Sequence, residues 1–220
     1  PAGSKTVGPR KSHNSQWGFV CPTESPDGGN VGIINHLSII ARVTTNINGN
    51  NILHALYDSE VQALEETIYK DFYNSSNVFL NGQLIGIHRE PIQLVQFMKL
   101  LKLNSFINIT TSISWNVQTN EIHVFCDSGR MVRPVFNLIQ KDKNGNKISP
   151  LINGDYTYIE TWKKAIHGFL YQKYGENLSF EQNEYFKDDL EDLKKDANYI
   201  QVLVQNAAPI EYIDSIESEN

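Results

Sequence analysis

The sequence predicts an α+β protein with several subdomains, in which amphipathic helices pack on mixed small sheets and hairpins. Two observations carry this prediction. Short apolar strands meet at tight turns such as Asn81-Gly82, and apolar residues recur at helical spacing after Pro91. The chain has 220 residues, of which 40% are hydrophobic and 20% charged, enough to bury the core of one to three small domains.

The first predicted segment, residues 1–50, is rich in glycine and other turn-forming residues. The run Ser25-Pro26-Asp27-Gly28-Gly29 has the residues of a tight turn. The run from Leu37 to Val43 predicts a mostly buried strand.

The second predicted segment, residues 51–145, carries the clearest α+β pattern. Asn81-Gly82 predicts a two-residue hairpin between two short apolar runs, and Pro91 suits the first turn of a helix. Apolar and polar residues then alternate on both sides of Gln118-Thr119-Asn120, which predicts a second hairpin. Asn144-Gly145 predicts a turn that closes the segment. The apolar stripe expected on the helix consists of Leu94, Phe97, Met98 and Leu101.

The third predicted segment, residues 146–220, combines helices with a strongly acidic surface. One amphipathic helix is expected to end near Gly175, and a second to carry Phe186, Leu190 and Leu193 on its inner face. The residues from Ile210 to Ile213 predict a last short strand, with no closing element expected after it. The residues that mark the first helix are Trp162, Ile166 and Phe169.

The charge distribution separates the two ends of the chain. The net charge is −6, but residues 1–50 carry four cations and two acids, whereas six lysines face thirteen acids from residue 156 onward. Affinity for a polyanion depends on neutralising its phosphates, so a nucleic-acid contact is expected only near the N-terminus. The acidic part is expected to face solvent or another protein.

Several classes of protein receive no support from the sequence. No apolar stretch reaches the length of a membrane span, and no signal peptide is recognisable. Cys21 and Cys126 are far apart and outside any C-x-x-C pair, so reduced thiols in an intracellular protein are expected and a zinc site is not. The histidines lack metal spacing, and neither a phosphate-binding loop nor a nucleophile elbow is present.

Three small groups of polar residues are candidate sites, each with an ordinary structural alternative. Glu24 and Asp27 form a carboxylate pair suited to acid–base chemistry or a divalent metal, although capping a turn is the commoner role beside proline and glycine. Arg10, Lys11 and His13 suit a phosphate-contacting loop or a solvated basic loop.

The third group is a pair of arginines. Arg130 and Arg133 could bind a phosphate, but anchoring a turn through carboxylate or carbonyl contacts is favoured. Trp17, beside the basic group, is expected in the core rather than as a stacking platform. The residues alone support no more than a soluble intracellular α+β protein without an assigned activity.

Four runs of residues, in the same order, resemble the second-largest subunits of multisubunit RNA polymerases. The first matches the pattern His-x-x-x-Trp/Tyr-Gly-x-x-Cys-Pro-x-Glu-Thr-Pro-Glu-Gly. The others resemble the V-F-V-N-G-x-x-x-G-V-H-R-x-P, D-A-G-R-x-x-R-P and V-E-Y-I-D elements of the eukaryotic, archaeal and large-DNA-virus enzymes. The runs here extend over His13–Gly28, Val78–Pro91, Asp127–Pro134 and Ile210–Asp214.

The resemblance implies a place in the subunit for each segment. Residues 1–50 resemble the end of the fork region with its active-centre loop, and residues 51–145 resemble external domain 1. Residues 146–220 resemble a helical acidic part and the start of external domain 2.

The resemblance also implies roles for particular residues. Arg10, Lys11 and His13 would lie near nucleic acid, and Glu24, Asp27 and Gly28 would belong to the loop lining the active centre. Two positions depart from the family pattern: Ser25 replaces threonine, and Asp27 replaces a longer glutamate, which puts any direct contact of that carboxylate in doubt.

The implied function belongs to the whole enzyme rather than to this chain. The resemblance implies nucleotidyl transfer in transcription, with no catalytic residue and no cofactor on this chain. Mg²⁺ is expected in the whole enzyme, held mainly by aspartates of the largest subunit. Implied partners are the largest and smaller polymerase subunits, the DNA template and the RNA–DNA hybrid, with no membrane. The expected location is the nucleus in a cellular source, or the host cytoplasm or virion if the source is a large DNA virus.

Two other functions remain open at this level. A freestanding interaction module or transcription regulator could borrow the polymerase fold, although a start within a motif-rich region and an end just after Tyr212-Ile213-Asp214 favour an excised part of the subunit. A small-molecule enzyme using Glu24 and Asp27 would require a divalent metal bound by those two side chains.

Overall fold

Residues 6–138, 140–141, 147–148 and 162–219 are described by a computed structural model, and within them the chain forms ten strands and six α-helices. The strands are β1 Arg42–Val43, β2 Gln62–Ala63, β3 Ser76–Leu80, β4 Gln83–His88, β5 Ser112–Asn116, β6 Glu121–Phe125, β7 Met131–Phe136, β8 Gln140–Lys141, β9 Lys147–Ile148 and β10 Ile210–Asp214. The helices are α1 Gly49–Tyr57, α2 Pro91–Leu103, α3 Trp162–Tyr174, α4 Lys187–Lys194, α5 Tyr199–Gln205 and α6 Ser215–Glu219. These elements confirm the predicted α+β class.

The largest sheet has five strands in the order β2-β4-β3-β6-β5. The β3–β6 pair is parallel, and the other pairs are antiparallel. Both predicted hairpins are confirmed as β3–β4 and β5–β6. Asn81 and Gly82 each have positive φ, 49° and 82°, as the favoured two-residue hairpin turn requires.

Helices α1 and α2 form the main core together with this sheet. Asn48 begins α1, because its side chain accepts a hydrogen bond from the Asn50 amide. Pro91 begins α2 as predicted, and Leu94, Met98 and Leu101 of the predicted stripe are fully buried. Phe97 packs at the edge of this core.

A three-stranded antiparallel sheet joins distant parts of the chain. Its central strand, β7, pairs with β1 on one side and β10 on the other. A second core cluster lies against it, so the first, middle and last segments meet here. That cluster consists of Ile109, Val132, Ala165, Ile166, Ile210 and Tyr212. Strands β8 and β9 form a separate two-stranded sheet.

The C-terminal helices agree with the sequence in position but not in every detail. Helix α3 is followed by Gly175, which has φ 53° and ends it as predicted. A kink at Gly168 (φ 50°, ψ −131°) was not predicted, and a Cβ at this position would lie 2.3 Å from the Leu103 carbonyl oxygen. Helix α4 confirms the second predicted helix, with Leu190 buried, whereas α5 was not predicted.

The chain continues past the predicted final strand. Strand β10 is confirmed, but the expectation of no closing element is wrong, because α6 follows at once. Helix α6 has no apolar periodicity, and it is anchored by the buried carboxylate of Glu217.

The predicted buried strand from Leu37 to Val43 is wrong. Only Arg42 and Val43 are in a strand, and the Ile39 side chain is completely exposed. Trp17, predicted to be in the core, is 73% exposed, and its neighbour Phe19 is buried instead. Residues 38–41 form no strand because no strand in the described part of the chain pairs with them, whereas Arg42 and Val43 pair with β7 and Leu37 makes a single bridge.

The predicted turn at Asn144-Gly145 lies outside the described residues. Among the helices described above, none is both long and apolar enough to span a bilayer.

Candidate functional site

A cleft of about 190 Å³ in the N-terminal segment collects the predicted nucleic-acid group. Arg10, Lys11 and His13 all line it, together with Trp17 and parts of the following loop. Short turns of 3-10 helix at residues 8–10 and 14–16 contribute Arg10 and Gln16 to its walls, and the rest of the lining comes from the loops around them. Lys11 and His13 are exposed, so their side chains are accessible to an anionic ligand. We call this feature the N-terminal cleft.

One hydrogen bond and one close approach of the backbone connect the opposite walls of the N-terminal cleft. The Arg10 guanidinium donates a hydrogen bond to the Val31 carbonyl at 2.9 Å. Gly32 has φ 73°, and a Cβ there would lie 2.2 Å from the Arg10 carbonyl oxygen. Only glycine therefore fits at position 32 while the walls stay this close.

His13 has a local structural role in addition to its exposed position. Its Nδ1 accepts a hydrogen bond from the Ser15 amide, and the Gln16 side chain accepts one from the His13 amide. This reciprocal cap fixes the turn that follows. His13 is thus oriented by the backbone before any ligand is present.

The predicted active-centre loop lies beside the N-terminal cleft, but its carboxylates do not line it. Glu24 is 63% exposed, with Oε1 3.8 Å from His36 Nδ1, and Asp27 is also exposed. Ser25 closes the loop, because its hydroxyl accepts a hydrogen bond from the Gly32 amide at 2.8 Å. Threonine, the family residue here, would supply the same hydroxyl.

The turn-capping alternative is wrong for the side chain of Asp27. Asp27 precedes the 3-10 turn that begins at Gly28, but its side chain makes no capping hydrogen bond. Among the residues that the structure describes, no three histidine, cysteine, aspartate or glutamate side chains converge on a point where a metal ion could bind. The Glu24–Asp27 pair therefore has no third histidine, cysteine, aspartate or glutamate beside it with which to bind a metal ion in this part of the chain.

Arg133 connects the N-terminal segment to β7. Its guanidinium carbon lies 5.2 Å above the centre of the Phe19 ring, a cation–π contact. Gly18, with φ 81°, lets the arginine side chain cross, since a Cβ there would lie 2.7 Å from Arg133 Cδ. Arg133 therefore anchors Phe19, the large apolar residue of this segment that is fully buried.

The contacts of Arg130 confirm that it anchors a turn, the structural alternative to phosphate binding. Its guanidinium contacts Asp127 at 2.8 Å and Asp214 at 3.1 Å, and it donates to the Thr110 carbonyl at 3.1 Å. Thr44 holds the same turn, since its hydroxyl donates to the Asp127 carbonyl and accepts from the Arg130 amide. These protein contacts use all three nitrogens of the Arg130 guanidinium, so few of its N–H groups are left to bind a phosphate.

A buried ion cluster extends this network to α2. Lys102 is 1% exposed, and its Nζ lies 2.9 Å from Glu217 and 3.1 Å from Glu211. Lys99, at the edge of the cluster, lies 3.2 Å from Glu217. The Glu217 amide in turn donates to Asp214 at 2.8 Å, so the contacts of Arg130 and Lys102 form one connected network.

The pKa values of the cluster reflect opposing effects of burial and charge. Burial by itself would lower the pKa of Lys102, but the adjacent carboxylates of Glu217 and Glu211 outweigh it and raise that pKa. Burial raises the pKa of Glu217 despite Lys102. For Glu211, burial acts in the same upward direction, but Lys102 and Lys99 bring its pKa below the usual range.

His167 is a second buried titratable group. Its Nδ1 lies 2.8 Å from the Ser105 hydroxyl, and within the described residues Nε2 has no hydrogen-bond partner. Burial, reinforced by the positive charge of Lys163, lowers the pKa of His167 to about 4. The ring is therefore neutral at physiological pH.

The ion cluster was not predicted from the sequence. Two signals were available: Lys102 interrupts the apolar end of α2, and the run Ile210–Asp214 carries two acids on a strand with a buried face. Three of the four runs of family resemblance meet through arginine contacts. Arg130 of the third run pairs with Asp214 of the fourth, and Arg133 of the third run packs on Phe19 of the first. Asn81 of the second run accepts a hydrogen bond from the amide of Cys126, which precedes the third run.

Comparison with known proteins identifies the same family. Residues 2–43 match the family described as RNA polymerase Rpb2, domain 3, and residues 78–138 match RNA polymerase Rpb2, domain 4. The chain is 29% identical, over 98% of its length, to DNA-directed RNA polymerase II subunit RPB2 of Meyerozyma guilliermondii. It is 33% identical over 63% of its length to the Encephalitozoon cuniculi subunit of that name, and 27% identical over 88% to subunit Rpo2 of Saccharolobus shibatae.

These matches agree with the motif resemblance. The chain is similar to second-largest subunits of DNA-directed RNA polymerases over almost its whole length, and two of their domain families match separate parts of it. The chain spans 16%, 12% and 18% of those three relatives' lengths, respectively.

Proposed function

We propose that this chain works as part of the second-largest subunit of a DNA-directed RNA polymerase and contributes to transcription only within the assembled enzyme. The observation that carries the proposal is the similarity to RPB2 over 98% of the chain. The buried network of Arg130 and Lys102 supports it, because it joins runs of family resemblance that are distant in the sequence.

Within that enzyme, residues 1–50 would form the end of the fork region beside downstream DNA. Arg10, Lys11 and His13 would contact nucleic acid from the N-terminal cleft, and the loop with Glu24, Asp27 and Gly28 would line the active centre. Residues 51–145 and 146–220 would form external domain 1 and the start of external domain 2. The exposed side chains of Lys11 and His13 support this assignment.

Catalysis would depend on other parts of the enzyme. The Mg²⁺ of the proposed enzyme would be held mainly by the largest subunit. The partners would be the largest and smaller subunits, the DNA template and the RNA–DNA hybrid. The eukaryotic relatives support a nuclear location, and a large-DNA-virus source would instead imply host cytoplasm or virion.

Membership in the enzyme is tested by affinity purification of the full-length subunit that carries this sequence. We expect the largest polymerase subunit and template-dependent RNA synthesis in the same fraction. The isolated 220-residue chain should synthesise no RNA above background. Purification of the full-length subunit without a largest subunit would contradict the proposal and would favour the freestanding module.

The nucleic-acid contact is tested by binding of the isolated chain to a DNA–RNA scaffold at low and physiological salt. We expect weak binding that disappears as salt rises, because few phosphates are neutralised. Lys11→Glu should weaken it and lower the salt slope by about one. Lys195→Glu makes the same charge change at an exposed position in the acidic part and should have no effect. Equal effects of both variants would contradict a contact in the N-terminal cleft.

A further inference from the structure

The N-terminal segment exposes an unusual number of large aliphatic side chains. Six lie within ten residues, and their exposure runs from 42% at Ile33 to 101% at Ile39. We call this set the N-terminal apolar face. Its members are Val31, Ile33, Ile34, Leu37, Ile39 and Ile40. Single exposed apolar residues are common on protein surfaces, but a dense group of this kind marks an interaction site.

The composition of the N-terminal apolar face indicates the chemistry of its partner. From Asn30 to Ala41 the sequence contains no aspartate, glutamate, lysine or arginine. Nucleic acid is thus a poor occupant, because phosphate binding requires cations or a dense set of donors. Depletion of charge with retention of aliphatic residues is instead typical of the centre of a protein interface.

The segment that carries the N-terminal apolar face lacks a core of its own. Between residues 6 and 43 the buried hydrophobic residues are Phe19 and Ala41, and Phe19 is held by Arg133 from β7. A unit of this size rarely folds on so small a core. Residues 2–43, which contain the whole face, match one polymerase domain, and the chain spans 16% of the length of the RPB2 relative.

We propose that the N-terminal apolar face is an interdomain interface, covered by an apolar surface from another part of the same second-largest subunit. The partner completes the hydrophobic core that residues 6–43 lack. The inference rests on the proposed function, since it requires a longer subunit around this chain. The N-terminal apolar face adjoins the N-terminal cleft, because Val31 belongs to the apolar set and also lines the cleft.

The test compares thiol reactivity at one position in two contexts. Ile39→Cys is placed in a Cys21→Ser background, both in the 220-residue chain and in the full-length subunit, and labelled with a maleimide. Cys126 is buried and remains in place. Val117→Cys is the matched control, because Val117 is 67% exposed in the β5–β6 turn, far from the face in sequence. We expect labelling of Ile39→Cys to slow by roughly tenfold or more in the full-length subunit, with Val117→Cys unchanged.

Two outcomes would overturn the inference. One is equally fast labelling of Ile39→Cys in the full-length subunit, which would show that no part of the subunit covers the face. The other is protection within the 220-residue chain that increases with protein concentration, which would assign the face to a second copy. If the full-length subunit co-purifies with the largest subunit while Ile39→Cys stays reactive, the interface fails but the proposed function stands.

Discussion

Residues 6–43 and the remainder of the described chain are stabilised in different ways. The N-terminal segment buries two hydrophobic side chains and exposes an uncharged aliphatic surface. The rest of the chain buries an extended hydrophobic core and also a connected set of ion pairs around Lys102 and Arg130. One region is thus stabilised by its own buried core, whereas the other presents the apolar surface for which an interface is proposed above.

The strongest test of this comparison removes the ammonium at the centre of the buried cluster. Lys102→Met should destabilise the protein by about 3–5 kcal/mol, because it leaves Glu211 and Glu217 buried without their main counter-charge. Urea unfolding followed by circular dichroism measures the change. Lys99→Met, at the more exposed edge of the cluster, should cost about 1 kcal/mol. Equal losses of stability for the two variants would show that burial does not determine how much each lysine of the cluster contributes to stability.

The kink of α3 provides the next test, with a matched glycine as its control. Gly168→Ala should cost about 3 kcal/mol or more, since the new Cβ would combine positive φ with a 2.3 Å approach to the Leu103 carbonyl. Gly175→Ala, also at positive φ but with open space around it, should cost about 1 kcal/mol. Thermal unfolding of both variants measures the difference. A similar loss of stability for both variants would mean that a small backbone shift relieves the close approach to the Leu103 carbonyl oxygen of α2.

The third test uses the pH dependence that His167 confers. Its pKa is about 4 in the folded protein and near 6.5 when unfolded, so the unfolded state binds more protons between these values and stability falls as pH falls. Between pH 7 and pH 5 the loss should be about 2 kcal/mol. His167→Gln should remove most of this loss of stability. Urea unfolding of both proteins at pH 7 and at pH 5 measures it. An unchanged slope would assign the pH dependence to other groups.

The smallest effect is expected on the N-terminal apolar face. Ile39→Ala should change the stability of the isolated chain by less than about 0.5 kcal/mol, because the side chain is fully exposed. Ile113→Ala, the same substitution at a buried position of β5, should cost about 2–5 kcal/mol. A substantial loss from Ile39→Ala would erase the distinction between the two regions.

The sequence predicted the elements whose determinants are local. The two hairpins depended on their turn residues, and α2 depended on Pro91 and an apolar stripe at helical spacing. The predicted strand from Leu37 to Val43 failed because an apolar run becomes a strand only where a partner strand is available. The ion cluster was not predicted because Lys102 and Glu217 meet only after the chain has folded.

The predictions for the candidate site also agreed with the structure only in part. The structure brings Arg10, Lys11 and His13 to one cleft, as their proximity in the sequence suggested. It leaves Glu24 and Asp27 exposed outside that cleft, which the spacing of two carboxylates could not reveal. Their roles in the enzyme stay predictions.

The central position of β7 has a consequence for the order in which the protein folds during synthesis. All strands of the five-stranded sheet lie between Gln62 and Phe125, so that sheet can form soon after its residues leave the ribosome. Strand β7 can pair with β1 once it is made, but its longer pairing must wait for β10, which is made much later, and loop closure over such a distance is slow. Pulse-labelled hydrogen exchange during refolding should protect β3 and β6 before β7 and β10. The early-folding five-stranded sheet would then serve as the surface on which residues 6–43 are later secured.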